Sequence, residues 1–223
     1  MREIAHFARN APATLRMKRT MPRDRFLDAV AQCADEAGKL RWRAALVADL
    51  EGDILEIGCG TGRMFAHYPD RVRLTAIDPD EEYLRIARER AREARASVEL
   101  SVASAEHLPF DDARFDAVVA ADVLCAVSSV DGTLREVKRV LKPGRRFRLV
   151  EHVRSDRPVS GLLMDALNPL WLAANGHTCN LNRRVERDLH DAGFEVREVK
   201  SFQLFPAGFS MAFTYRWIDA VAP

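Results

Sequence analysis

Asp53-Ile54-Leu55-Glu56-Ile57-Gly58-Cys59-Gly60-Thr61-Gly62 is the stretch that decides the fold. Ile54 to Ile57 reads as a short buried strand running into a turn with glycine at every second position. Glycine takes left-handed backbone angles freely and lets backbone approach a ligand where a side chain would clash. A helix-like segment, Arg63 to Tyr68, follows, and its first turn is expected to offer unpaired N–H groups to that ligand. A dinucleotide fingerprint would need G-x-G-x-x-G after the strand. Here the third glycine comes one residue early, and Arg63 stands where the fingerprint wants it. Asp78 closes a second apolar run, Val72 to Ile77. Two such strands lying parallel would bring Asp78 beside the turn, where a carboxylate can accept both hydroxyls of a ribose.

The whole chain bounds the rest. Its 223 residues, 48% of them hydrophobic, suffice for one substantial core with appendages. A formal charge of +1 argues against a nucleic-acid partner, and the Arg/Glu mixture from Arg85 to Arg95 reads as a solvated helix face. Cys33, Cys59, Cys125 and Cys179 are scattered without a C-x-x-C pair, which suggests neither a disulfide framework nor a metal site and fits a reducing compartment. The first twenty residues lack an uninterrupted apolar region, so no signal peptide is expected. No run approaches the roughly 20 apolar residues of a membrane span. The expectation is a soluble cytoplasmic protein with possible membrane association. The sequence leaves its oligomeric state open.

In chain order, residues 1–50 read as a helical arm or lid, basic over its first half and interrupted by Pro12. Its arginines and lysine suit peripheral contact with anionic lipid. Further strands are expected at Val98 to Val102, Phe115 to Ala120 and Phe147 to Val150. Helices are expected from Asp80, with acid in the first turn, and from Asp131 to Leu141, where Lys142-Pro143-Gly144 signals a stop. Residues 153–182 form an apolar insertion of the kind that covers a substrate pocket. Residues 183–223 supply a helix, Arg183 to Ala192, and two alternating runs, Phe194 to Val199 and Met211 to Trp217, expected as an antiparallel pair at one sheet edge. The expected architecture is one α/β domain with a Rossmann-like seven-stranded sheet, mostly parallel, carrying an antiparallel C-terminal strand and helices on both faces. In such sheets ligands sit beyond the carboxyl ends of the strands. Gly58, Asp78, Ser104, Asp122 and Glu151-His152 all follow strands and should converge.

The spacing E-x-G-x-G-x-G, Glu56 to Gly62, followed by strand-ending Asp78 resembles the class I S-adenosylmethionine-dependent methyltransferases. Leu108-Pro109-Phe110 with Phe115-Asp116, and Arg135-Glu136-Val137 through Leu141-Lys142-Pro143-Gly144, resemble the ubiquinone/menaquinone-methyltransferase type. The resemblance implies S-adenosylmethionine as cofactor and S-adenosylhomocysteine as product. It implies a cofactor site of Glu56, Gly58, Cys59, Gly60, Gly62, Asp78, Pro79, Ser104, Ala105, Glu106 and Ala121. An acidic residue usually stands at the place of Ser104, so adenine recognition passes to the Ala105 N–H with the Ser104 hydroxyl. A narrower resemblance, to the alkyl-thiol methyltransferases of mammals, rests on Val123-Leu124-Cys125-Ala126-Val127, Val150-Glu151-His152-Val153, Asn168-Pro169-Leu170-Trp171 and Cys179-Asn180-Leu181-Asn182-Arg183. Those relatives carry a hydrophobic membrane-anchoring N-terminus, which here is replaced by the basic arm.

The expected chemistry is in-line methyl transfer to a small, fairly apolar acceptor, a thiol ahead of phosphatidylethanolamine or a quinone-like acceptor. The other class of reading is a cofactor-binding regulatory protein without transferase activity. His152 is the expected general base, with Glu151 orienting it, although neighbours on a strand point to opposite faces. His177 and Cys179 are candidates to line the acceptor site, and Phe202, Phe205, Phe209, Phe213, Tyr215 and Trp217 could face an ammonium group or simply pack. No metal is expected, and Cys125 is expected to pack near the cofactor without chemistry of its own.

Overall fold

The computed structural model describes residues 40–175, 179–203 and 214–223. Residues 1–39 of the expected arm, His177, Phe205, Phe209 and Phe213 lie outside the described residues.

Seven strands form one sheet: β1 (Gly52–Ile57), β2 (Val72–Asp78), β3 (Ser97–Val102), β4 (Phe115–Ala121), β5 (Leu141–Val153), β6 (Glu195–Gln203) and β7 (Thr214–Val221). Their order is β3-β2-β1-β4-β5-β7-β6. All neighbours are parallel except that β7 runs antiparallel to both β5 and β6. The helices are α1 (Leu40–Val47), α2 (Glu81–Glu93), α3 (Val130–Val140), α4 (Pro158–Asn175) and α5 (Val185–Asp191).

Alternation along the central strands feeds two cores. On one face Leu55, Ile57, Val118, Ala120 and Leu149 pack with Leu134 and Val137 of α3 and Leu189 of α5. On the other, Ile54, Ala117, Val119 and Val150 pack with Leu46 and Val47 of α1 and Leu84 and Ala87 of α2. Strands buried on both faces read as nearly continuous apolar runs, as these do. Leu46 and Val47 are fully buried, so residues 40–47 belong to the core and not to a lid.

One local expectation fails for an identifiable reason. Arg63 to Tyr68 forms no α-helix. Only a 3-10 turn, Phe65–His67, follows the glycines, because Tyr68 precedes Pro69 and is extended (φ −69, ψ 133). No α-helix start therefore stands behind the glycine turn. The helix stop expected at Lys142-Pro143-Gly144 is met, with the next strand following directly. Helix α3 ends at Val140, and Leu141 already pairs with Phe115, the register shifting before Ala117 pairs with Arg146. Helices α2 and α3 are both capped by side chains. Asp80 accepts the N–H groups of Glu82 and Tyr83 at 3.0 and 3.4 Å, and Ser129 accepts that of Gly132 at 3.0 Å.

The Arg135-Glu136-Val137 stretch has a physical task. Glu136 Oε2 accepts the Leu108 N–H at 2.8 Å and the Arg139 guanidinium at 2.8 Å. Arg139 also donates to the carbonyls of Leu108 at 2.9 Å and Phe110 at 2.7 Å. The pair staples the loop after β3 to α3, and the guanidinium holds the Glu136 carboxyl down at about 2 against an ordinary 4.5. Arg139→Ala should lower stability by about 2 kcal/mol in urea unfolding. A depressed carboxyl stabilises above its unfolded pKa and loses that contribution as pH falls through its folded one. The stability gap between wild type and Glu136→Gln should therefore be full above pH 4.5 and close as pH falls toward 2. A gap independent of pH would contradict the ion pair.

Candidate active site

The strand order reverses between β1 and β4, and the crevice at such a reversal lies beyond the strands' carboxyl ends. The structure brings Gly58, Asp78, Ser104, Asp122 and Glu151-His152 to that end of the sheet, each at or just past its strand.

The three glycines have different reasons to be glycine. All have positive φ, +61, +53 and +79 for Gly58, Gly60 and Gly62. A Cβ on Gly58 would stand 2.7 Å from Val123, and one on Gly62 would stand 2.5 Å from the Phe65 ring and 3.2 Å from the Ala87 backbone. Those two admit the protein's own packing. At Gly60 no atom lies within 4 Å of the Cβ position. Gly60 alone borders open space, which corrects the expectation that all three serve ligand approach.

Asp78 is buried and closes the turn. Its Oδ2 accepts the Gly60 N–H at 2.8 Å and its Oδ1 accepts the Asp80 N–H at 2.9 Å. Burial raises its pKa, and the two N–H donors offset part of that rise. A carboxylate has about four lone-pair sites, so roughly half its acceptor capacity remains for ribose hydroxyls. Pro79 is exposed beside it. Cys59 is buried in the core on the α2 face, and its N–H donates to the Ile77 carbonyl at 2.9 Å, so it ties the turn to β2.

Glu56 is the unusual group. It is fully buried, and its Oε2 has no hydrogen-bond partner. Burial pushes its carboxyl up to about 8, a rise that the Tyr68 phenol and the Arg43 guanidinium only partly counter. A buried acceptor left without a donor is costly. The ammonium of a methionyl tail is the group that would satisfy it, so the residues present fit S-adenosylmethionine. Tyr68 and Arg43 were not legible as part of this environment, because both reach Glu56 from outside the glycine motif.

In the loop after β3, the Ser104 hydroxyl accepts the Glu106 N–H at 3.2 Å and Ala105 is buried. The Glu106 carboxylate accepts the Ser129 N–H. Both polar side chains thus shape the loop that carries the Ala105 N–H. Ala121 ends β4 half-buried, and Asp122 follows in a left-handed conformation (φ +63) with its N–H on the Val150 carbonyl at 2.9 Å.

Glu151 does not orient His152. The two occupy opposite faces of β5, and the Glu151 carboxylate accepts the N–H groups of Val123, Leu124 and Cys125 at 2.8, 3.0 and 3.2 Å. Burial, with Asp122 nearby, raises Glu151 to about 7, while those three donors pull it down. It is a positioning residue for the loop after β4. His152 instead meets Cys179, Nδ1 to Sγ 3.8 Å, and lies against Tyr215, ring centroids 5.6 Å apart. Cys125 and Cys179 share a hydrogen bond that lowers the Cys179 thiol well below its ordinary value, and His152 lowers it further against burial. The same bond raises Cys125. Cys125 is buried, and its raised thiol fits the expectation that it packs without chemistry of its own. Of the aromatic candidates, Phe202 and Tyr215 stack in a column with Trp42, Trp42 on Phe202 at 4.6 Å and Phe202 on Tyr215 at 5.5 Å, while Trp217 lies under the Lys200 ammonium.

A cleft of about 560 Å³ lies at the opposite, amino ends of the strands. Most of its arginines are bonded to acids, as Arg73 is to Asp53 at 2.7 Å and Arg146 to Asp219 at 3.2 Å, and Arg71 donates to the Ala48 carbonyl at 2.8 Å.

Asp78→Ala should weaken S-adenosylmethionine binding about 10- to 100-fold in calorimetric titration, since it loses both the ribose acceptor and the Gly60 N–H clamp. An unchanged dissociation constant would remove Asp78 from the ribose site. With its pKa near 8, Glu56 is protonated at pH 7 and must ionise to pair with an ammonium. Cofactor binding at pH 7 should then release close to one proton, roughly 0.9, and affinity should rise with pH until about 8. Titrations in buffers of different ionisation enthalpy read that release, and Glu56→Gln should abolish it.

The methyltransferase-domain family model matches residues 55–149. Thiol S-methyltransferase TMT1B of Rattus norvegicus is 33% identical over 175 residues, 73% of this chain and 71% of that protein. Phosphatidylethanolamine N-methyltransferase of Cereibacter sphaeroides is 35% identical over 160 residues, 71% of this chain and 77% of that one. Among solved structures, a geranyl diphosphate methyltransferase in complex with S-adenosylmethionine shares the fold, with a TM-score of 0.63 and 16% identity over 84% of this chain and 86% of that chain. The Glu56-to-Asp78 geometry and relatives matched over more than two thirds of their length agree: the chain belongs to the class I S-adenosylmethionine-dependent methyltransferases of the methyltransferase-domain family.

Proposed function

We propose that this methyltransferase methylates a small, fairly apolar thiol, with His152 as the proton acceptor. The observation that carries the reading is the corner formed by His152 and Cys179, where the imidazole Nδ1 stands 3.8 Å from a sulfur at the end of β5. Bound S-adenosylmethionine supplies a methyl already activated by its sulfonium. What the chain must add is alignment and exclusion of water. Gly60 and Asp78 hold the nucleoside end, Glu56 the methionyl end, and the Ala105 N–H the adenine. Glu151 fixes the loop of residues 123–125 through three hydrogen bonds and thereby sets where Cys125 stands. The thiol proton passes to His152, the thiolate sulfur bonds to the methyl carbon, and the carbon–sulfonium bond breaks. The products are a thioether and S-adenosylhomocysteine.

The insertion 153–182 covers the acceptor side in this reading, for the loop of Asn180 hydrogen-bonds the Cys125 carbonyl at 2.8 Å through its backbone and 3.0 Å through its side chain. A second reading, N-methylation of an ethanolamine headgroup, is supported by the Trp42–Phe202–Tyr215 column beside His152 and by the bacterial relative. A cytoplasmic site of action, with membrane contact through the basic segment 1–25, fits the free thiols of Cys59, Cys125 and Cys179.

Labelled methyl transfer to a panel of thiols, amines, phenols and phosphatidylethanolamine separates these readings, and transfer to none despite cofactor binding would sink catalysis altogether. A thiol of pKa about 8.5 is only about 3% ionised at pH 7, so a base can gain at most about 30-fold there. His152→Ala should lower kcat by about 10- to 30-fold at pH 7 with cofactor affinity retained, and the deficit should vanish near pH 9. A deficit equal at both pH values would make His152 a packing residue.

A further inference from the structure

Helix α4 is built inside out. Between residues 158 and 173 every exposed side chain is apolar. Val159, Leu162, Leu163, Leu167 and Leu170 are 78%, 66%, 42%, 43% and 70% exposed, and they are five of the six large exposed hydrophobics among the described residues. Ser160 and Asn168 are buried instead. The exposed positions recur at helical spacing and form one continuous stripe. Asn168 explains the orientation. Its Oδ1 accepts the Leu181 N–H at 2.8 Å and its Nδ2 donates to Asn180 Oδ1 at 3.3 Å, so the polar face is committed inward. The sole ionisable residue of the helix, Asp165, is bonded to Arg154 at 2.9 Å, and Arg154 lies across Gly161. The stripe is thus apolar and electrically silent.

An arginine-rich cleft of about 240 Å³ borders it. Arg154, Arg183, Arg184, Arg187 and Arg216 line the cleft; Asp156 and Glu186 are bonded to Arg216 and Asp191 to Arg187, so the excess charge rests on Arg183 and Arg184. Arg154 and Arg184 act on Asp165, which joins the cleft to the helix. Arg157, exposed at the start of the helix, adds another cation. Patches of this kind on a single chain mark an interaction site. No described helix is long and apolar enough to cross a membrane.

We propose that α4 lies in the plane of an anionic phospholipid surface, its leucine stripe among the acyl chains and the adjoining arginine cleft on lipid phosphates. The charge decides the occupant: an apolar stripe rimmed by excess arginine matches acyl chains beneath anionic headgroups. The surface is distinct from the basic segment 1–25 and does not depend on which acceptor is methylated.

Flotation of the full chain with vesicles tests it. The chain should float with phosphatidylcholine containing roughly one-third phosphatidylglycerol and much less with phosphatidylcholine alone. Leu162→Asp with Leu170→Asp should cut flotation at least about tenfold, with an unchanged urea midpoint because both side chains are solvent-exposed. Arg184→Gln with Arg187→Gln should shrink the difference between the two vesicles. Replacing the arginines of residues 1–25 by glutamine should leave leucine-dependent flotation in place. A wild-type chain that does not float, or a leucine variant that floats like wild type, overturns the proposal. So does a non-floating dimer that the leucine variant converts to monomer, which would make the stripe an interface between copies.

Discussion

Asp78 accepts the Gly60 N–H through one oxygen and the Asp80 N–H through the other, and the cofactor half of the molecule depends on that double acceptance. It ties the glycine turn after β1 to the end of β2 and to the start of α2, whose own cap is Asp80. A buried carboxylate is expensive unless donors satisfy it. Here the donors are backbone N–H groups whose positions the fold needs fixed. The same device recurs on the other side of the switch point. Glu151, fully buried, gathers three consecutive N–H groups after β4 and so fixes the second wall of the crevice.

Glu56 is the counterexample that gives the site its polarity. It sits on β1 between Ala76 and Val119, as buried as Glu151, yet it has a free oxygen and no backbone donors. The three carboxyls therefore differ by hydrogen bonding more than by burial. Glu151 is spent on the protein's own backbone, and Asp78 is shared between backbone N–H groups and the ribose side of the crevice. Glu56 is kept for a positively charged visitor, and neutral while it waits. That arrangement selects for a ligand bearing an ammonium at one end and hydroxyls at the other.

Much of this was legible in the sequence because it is local. Strand alternation and the spacing from the glycines to Asp78 depend on neighbours in the chain, and they led to the observed sheet with its antiparallel β7. What failed depends on distant partners. Gly58 and Gly62 are glycine because Val123 and Phe65 with Ala87 approach them, which no motif records. Strand periodicity warned that Glu151 and His152 diverge, but not that Glu151 reaches residues 123–125. Cys125 and Cys179 meet only because the loop after α4 folds back on the end of β4.

The inverted helix and the thiol corner are mechanically one unit. Composition showed an apolar insertion, and burying its leucines would have been the ordinary outcome. Asn168 prevents it, since turning the leucines inward would strip the Leu181 N–H of its acceptor. Asn180 takes the Nδ2 of Asn168 on one side and donates twice to the Cys125 carbonyl on the other. Cys179, the residue before it, faces His152. A displacement of α4 must therefore either break this chain of hydrogen bonds or carry Cys179 with it.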